Sequence, residues 1–457
     1  MMKKTLLSLS VLLGLGSFSA HAETLLDVYN TAKQNDAVIQ AAAAGREAGQ
    51  EAIPQARSVL LPQVTGSAEY SKDNYDSSSA RNQFDANGNL ISRNITSSSD
   101  TDTNGWRLDL SQQIYHYDSW VALSQAEKSV QRSDLEYTAA QQNLIVRVAQ
   151  AYFDVLFAED NLTYVRSNKE AIGRQLEQTK QRFNVGLIAI TDVHEAQARY
   201  DEAVSQEVVA KNQLDTANES LREITARYYD SLAKLSGDIP LASPAPASVD
   251  DWIKFSESQN PSLNAQKLTT DIARDEVKRR FGGHLPTLDL VASYSDTSTS
   301  GDVKSQGIKL PADNDQDGTT VGVRFSVPLF SGGRTQSQVN EGESLFVQAS
   351  QQLEATHRSV VKDTKTAYLG VEASIAAVQA LKQSVVSSKS ALEATQAGFE
   401  VGTRTIVDVL NSTQAVFLAE RNLAQAKYTY LLNGLRLKQA GGILKEEDLA
   451  AVSALLR

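Results

Sequence analysis

Cysteine is absent from all 457 residues, so neither a disulfide framework nor a thiolate metal site is available, and stability must come from packing and assembly. The histidines beyond the N-terminal segment, His116, His194, His284 and His357, show no H-E-x-x-H spacing. Neither a phosphate-cradling glycine loop nor a G-x-S-x-G elbow occurs. The chain lacks the material of these enzyme sites; it reads as a non-enzyme, and no cofactor or metal is expected. No Lys/Arg-rich run interleaved with aromatics interrupts a formal charge of −11, which argues against a nucleic-acid partner. After the first 22 residues, no apolar stretch approaches the roughly 18 residues that a membrane-spanning helix needs.

The first residues have their own character. Lys3 and Lys4 precede an apolar run from Leu6 to Phe18, and Ala20-His21-Ala22 follows, the pattern of a secretory signal peptide over residues 1–22 with cleavage before Glu23. The remaining chain is then either soluble outside the cytoplasm or a β-type membrane protein.

Compared with itself, the chain repeats. Phe183-Asn184-Val185-Gly186-Leu187-Ile188-Ala189-Ile190-Thr191-Asp192-Val193 aligns with Phe399-Glu400-Val401-Gly402-Thr403-Arg404-Thr405-Ile406-Val407-Asp408-Val409, and Leu61-Pro62-Gln63-Val64 with Leu285-Pro286-Thr287-Leu288. Two repeats are expected, over residues 23–236 and 251–457, joined by a Pro/Ala/Ser-rich linker at 237–250.

Each repeat holds two segments of strict alternation. Val64, Gly66, Ala68 and Tyr70 oppose Thr65, Ser67, Glu69 and Ser71, and Trp106, Leu108 and Leu110 oppose Arg107, Asp109 and Ser111. Leu288, Leu290, Ala292 and Tyr294, then Val321, Val323, Phe325, Val327 and Leu329, continue the pattern. Period two predicts strands near 62–72, 104–116, 286–296 and 320–330, each with one apolar and one polar face. A membrane barrel needs that pair of faces; two soluble hairpins packed on helices would show the same alternation. The polar stretches Ser71 to Thr103 and Ser295 to Thr320 read as long loops at one end, the habit of outer-membrane barrels.

After each strand pair the period becomes seven. Val148, Val155, Leu162, Leu176 and Phe183 recur in one seam, with Lys169 as the misfit, and Val371, Val378, Val385, Leu392 and Phe399 recur in the other. Each repeat thus ends in a helical hairpin, with tips near 184–190 and 400–406. A helix from Asp118 to Phe183 is about 100 Å long at roughly 1.5 Å per residue. Four membrane strands cannot close a barrel, so the chain must oligomerise to finish its fold.

Asp313 to Gly318 imitates the start of a calcium-binding loop, but Arg324 stands where the closing glutamate belongs, so the segment reads as a polar surface loop.

The Leu-Pro pairs that open strands, the Phe330-Ser331-Gly332-Gly333 turn, the paired Phe-x-Val-Gly tips and above all the run from Gly402 to Val409 resemble the TolC family of outer-membrane efflux proteins. The resemblance covers essentially all of the chain after residue 22. It implies a mixed α and β membrane protein: a homotrimer whose twelve-stranded barrel, four strands from each protomer, continues into a periplasmic α-helical coiled-coil barrel. It implies an outer-membrane exit duct for efflux or type I secretion, served by a periplasmic adaptor and an inner-membrane transporter of the resistance-nodulation-division, ABC or major-facilitator type. By that resemblance Thr191, Asp192, Phe399 and Arg404 form a gate network, and Asp408 and Asn411 ring the pore mouth. Val185, Gly186, Leu187, Val401, Gly402 and Thr403 meet the adaptor. The family carries a tyrosine where Phe399 stands and usually an acid where Asn411 stands. Read locally instead, Asp192 and Asp408 are acids in the first turn of a helix, where the macrodipole favours them.

Overall fold

The computed structural model describes residues 22–235 and 237–457, so the predicted signal peptide lies, except for Ala22, outside the described residues. In chain order come helices α1 (Leu25–Asn35), α2 (Ala37–Gln50) and α3 (Ala52–Ser58), strands β1 (Gln63–Phe84) and β2 (Leu90–Tyr115), and helices α4 (Tyr117–Asn184) and α5 (Ile190–Thr225). Helices α6 (Val249–Gln259) and α7 (Pro261–Phe281) precede β3 (Thr287–Ser305), β4 (Ile308–Pro311) and β5 (Asn314–Ser326), and α8 (Arg334–Glu400), α9 (Ile406–Ala440) and α10 (Glu446–Ser453) close the chain. Two compact units result, each drawing on both halves of the sequence. Among the described residues, one comprises those up to Ala42, Thr138–Asn260 and Val360–Arg457; the other comprises Ala43–Tyr137 and Pro261–Ser359.

The second unit holds the sheet, entirely antiparallel, with β2 and β3 central. Residues directly opposite each other in such a ladder share a face. Val64, Leu110, Ala292 and Val321 form one row across the four main strands, and Gly66, Leu108 and Tyr294 continue the next. The alternating apolar sets therefore gather on one side of the sheet, and much of that side is bare: Val64 is 66% and Val321 70% exposed. The rings of Trp106 and Tyr294 sit in the same face, tilted 45° to each other with centroids 5.1 Å apart. Strands β1 and β5 each pair on one side only, so two edges of the sheet are open among the described residues.

Both expected loops are largely strand. The β1–β2 ladder runs without a break to Phe84 opposite Leu90, closed by a turn in which Asp85 accepts from the Asn87 and Asn89 N–H groups at 2.9 Å. β3 likewise runs on to Ser305, where it turns back into β4. Ser, Thr and Asn contribute the same backbone donors and acceptors as Val does, so a paired ladder continues wherever its partner stays in register. Hydrophobic alternation cannot register such strands. Asp313 to Gly318, read as a polar loop, lies mostly within β5, which pairs with β3. The predicted strand 320–330 ends at Ser326, ahead of Pro328, which has no N–H for a ladder.

The first unit holds the parts of the long helices that run to the hairpin tips, and both tips. Away from the tips the seam residues are buried as the heptads require, Val148, Val155, Leu162, Leu176 and Val378 being at most 6% exposed, whereas nearer the tips Val385, Leu392 and Phe399 are half-buried and Phe183 is exposed. Lys169, the misfit, instead bonds Glu207 on α5. The Tyr152 hydroxyl donates to the carbonyls of Glu23, at 3.1 Å, and Ala233, at 2.8 Å, and so pins the start of the described chain to the segment after α5. Asp36, almost fully buried, takes two bonds from the Arg147 guanidinium, the shorter 2.6 Å. No described helix is long and apolar enough to cross a membrane.

Candidate functional site

Each tip is built the same way. The α4 helix ends with Gly186 at φ +77°, where its N–H donates to the Phe183 carbonyl (2.9 Å) and the Leu187 N–H to the Arg182 carbonyl (2.9 Å). This is a helix C-cap that needs a left-handed residue, which glycine adopts at no steric cost. The α8 helix ends likewise at Gly402, φ +79°, with Gly402 N–H bonded to the Phe399 carbonyl and Thr403 N–H to the Gly398 carbonyl. Thr403 adds its hydroxyl to that same Gly398 carbonyl at 3.0 Å. Val185, Leu187 and Val401 are more than 70% exposed, so three large apolar side chains stand on these turns in the protomer with nothing covering them.

The returning helices begin differently. At α9, Thr405 is the N-cap and Asp408 the third residue: the Asp408 N–H donates to the threonine hydroxyl oxygen, while the Thr405 N–H and hydroxyl both donate to one Asp408 carboxylate oxygen at 3.0 Å. Those two Thr405 bonds, with Arg404 close by, hold the Asp408 carboxyl below the ordinary aspartate range. At α5 the N-cap is Ala189, in the same extended conformation but without a side-chain acceptor, and Asp192 is the corresponding third residue. The Asp192 carboxylate makes no hydrogen bond or ion pair in the protomer, among the described residues. The two aspartates that look alike in sequence are therefore chemically unlike. Asp408 is committed to the cap of its own helix, whereas the Asp192 carboxylate has no such cap.

Arg404 and exposed Thr191 stand beside these caps, and no bond joins Arg404 to Asp192 within the protomer, among the described residues. Phe399 packs on a cluster formed by Ile172, Leu176, Ala196, Ala203, Ile406 and Leu410, shared between the two hairpins. Two residues absent from the sequence expectation enter here. Arg182 lies with its guanidinium carbon 4.5 Å from the centre of the Phe399 ring, and Arg199 donates to the Asn411 amide oxygen at 3.4 Å. Neither contact leaves a periodic trace in sequence, because each depends on how one hairpin lies against the other. Farther along these helices from the tips, Tyr428 on α9 stacks on Phe153 and donates to Asp160 on α4 at 2.8 Å. Burial pushes the Asp160 carboxyl up, although the Tyr428 bond opposes it.

The sequence profile of the outer membrane efflux proteins matches residues 28–227 and 252–442. The chain is 44% identical to the outer membrane protein TolC of Vibrio cholerae over all of this chain and 99% of that protein. It is 29% identical to the alkaline protease secretion protein AprF of Pseudomonas aeruginosa, over 95% of this chain and 88% of that one. The crystal structure of the outer membrane protein VceC from Vibrio cholerae superposes with a TM-score of 0.72 at 17% identity, covering 92% of this chain and 96% of that one. With its paired helical hairpins, a four-row antiparallel sheet bare on its apolar face, and a family match across most of its length, the chain belongs to the outer membrane efflux protein family.

Proposed function

We propose that this outer-membrane exit duct works as a homotrimer, its four main strand rows from each protomer closing a twelve-stranded barrel. The observation that carries this reading is the pair of open edges on β1 and β5, together with an apolar sheet face left exposed. In hydrocarbon each unsatisfied backbone group costs several kcal/mol, so an open sheet cannot stand there alone. Joining the β5 edge of one copy to the β1 edge of the next satisfies both edges, and three copies make twelve strands. The long helices continue from the strands and ring the same axis in the periplasm, and the two halves of the chain act as copies of one unit. The family is one of channels rather than enzymes, and conduction is passive.

The tips carry the gate. Asp192, with no partner in its own protomer, accepts from Arg404 of a neighbouring hairpin, with Thr191 beside it. Arg404 offers a planar fork of donors suited to a carboxylate. Three symmetry copies at roughly 0.5–3 kcal/mol each bias the duct closed and still yield to a docked partner. Asp408 and Asn411 line the pore mouth, where three carboxylates favour cations. A periplasmic adaptor covers Val185, Gly186, Leu187, Val401, Gly402 and Thr403, and delivers cargo from an inner-membrane transporter of the resistance-nodulation-division, ABC or major-facilitator type. Both toxic small molecules and secreted polypeptides fit a duct of this kind. Native mass spectrometry of the detergent-extracted protein tests the assembly: a trimer is expected, and a monomer that conducts ions would overturn it.

A further inference from the structure

We infer that Arg182 is a positioning residue of the gate, whose guanidinium, laid on the Phe399 ring, locks the two hairpin tips of one protomer together. The inference rests on the gated-duct reading and adds to it a latch within the protomer, distinct from the bonds between protomers.

Three observations converge on this pair. The guanidinium lies 4.5 Å from the ring centre, within the range in which a cation is attracted to an aromatic face. Each partner is also the backbone anchor of its own tip: the Arg182 carbonyl takes the Leu187 N–H and the Phe399 carbonyl takes the Gly402 N–H, so both turns close on the two residues that touch. Finally, Phe399 is seated in the apolar cluster that spans both hairpins, with Ile172, Leu176 and Ala196 from α4 and α5 and Ile406 and Leu410 from α9. A ring so held cannot swing to follow Arg182, and the arginine has no carboxylate partner among the described residues to compete for it. Separating the tips therefore breaks the stack, and keeping the stack keeps the tips in register. Phenylalanine has no hydroxyl for a polar network, yet its face remains a full acceptor for a cation, so position 399 works here through its ring.

At the strength of an exposed cation–aromatic pair, a lower bound for this half-buried one, the stack favours the associated state about two- to fivefold. Three copies in a trimer multiply to about ten- to a hundredfold in the ratio of closed to open ducts. The test is single-channel recording in planar bilayers of the full-length mature protein as wild type, Arg182→Ala, Arg182→Lys, Phe399→Leu and Arg182→Ala/Phe399→Leu, with Asp192→Ala/Arg404→Ser as the reference for opening. Arg182→Ala and Phe399→Leu are each expected to raise the open fraction by that factor, the pair together no further, and Arg182→Lys to fall between. Hydrogen exchange at the Leu187 and Gly402 amides should quicken in Arg182→Ala while the buried α4 seam stays protected, which separates loss of the latch from general destabilisation. If Arg182→Ala fails to assemble, Arg182→Gln serves in its place. A reference variant that opens while Arg182→Ala stays closed would overturn the latch and leave the duct intact, as would effects of Arg182→Ala and Phe399→Leu that multiply. Absence of any channel in every protein, wild type included, would overturn the duct reading and the latch with it.

Discussion

The difference between the two hairpin tips can be erased by one substitution. Ala189 and Thr405 occupy the same cap position with almost the same backbone, φ −80° and ψ 155° against φ −89° and ψ 162°, and each stands three residues before an aspartate. Ala189→Thr should therefore build at α5 the reciprocal cap that α9 already has. Replacing alanine by threonine at an N-cap is worth about 1 kcal/mol, which is close to a fivefold slowing of local opening. The same bonds draw the Asp192 carboxylate onto its own helix and withdraw it from the proposed bond to Arg404 of a neighbouring hairpin. Local stability rises while the gate weakens, a combination that general destabilisation cannot produce. Hydrogen exchange over residues 190–194 should slow about fivefold, and the resting conductance in planar bilayers should rise. Slower exchange with unchanged conductance would refute the reasoning, because Asp192 would then be capped and the gate indifferent to it.

Other perturbations follow from the same geometry. Arg147→Met strands Asp36, whose side chain is 4% exposed, and should cost about 2 to 3 kcal/mol, less than a fully buried pair because the arginine side chain is 36% exposed; thermal melts in detergent read the loss. Burial pushes the Asp36 carboxyl up, but the Arg147 bonds and the Ile39 and Val38 N–H groups outweigh it and hold the group below the ordinary aspartate range. Its stabilisation is then complete above about pH 4 and lost as pH falls further, so the wild-type and Arg147→Met melting curves should converge in acid. Gly402→Ala meets no atom within 4 Å but must adopt φ +79°, so it should destabilise the tip by about 1 kcal/mol through the backbone alone, seen as faster exchange at Gly402 and Thr403.

Much of this architecture was legible in the sequence because it rests on periodicity. Heptads located α4, α5, α8 and α9 to within a residue or two at the tips, since a buried seam repeats wherever two helices stay in contact. Alternation found the parts of the strands that carry the apolar face, around Val64, Trp106, Leu290 and Val323. It could not find their polar continuations, from Lys72 to Phe84 for example, because a serine-rich strand is held by backbone pairing and has no apolar face to repeat. The tips divided in the same way. Gly186 and Gly402 announced the turns, since only a left-handed residue closes them so tightly. The contrast between a capped Asp408 and a free Asp192 also lay in the sequence, in the change from Thr405 to Ala189, but as a single hydroxyl within otherwise matching segments. Arg182 on Phe399 left no such trace, because contacts between hairpins are set by packing far from either residue along the chain.

The claim that the two hairpin tips gate a duct is tested most directly by the conductance of the purified protein in planar bilayers, wild type against Asp192→Ala/Arg404→Ser. A small resting conductance that rises severalfold in the variant is the predicted result. No channel activity in either protein, or a wild type as open as the variant, would contradict it.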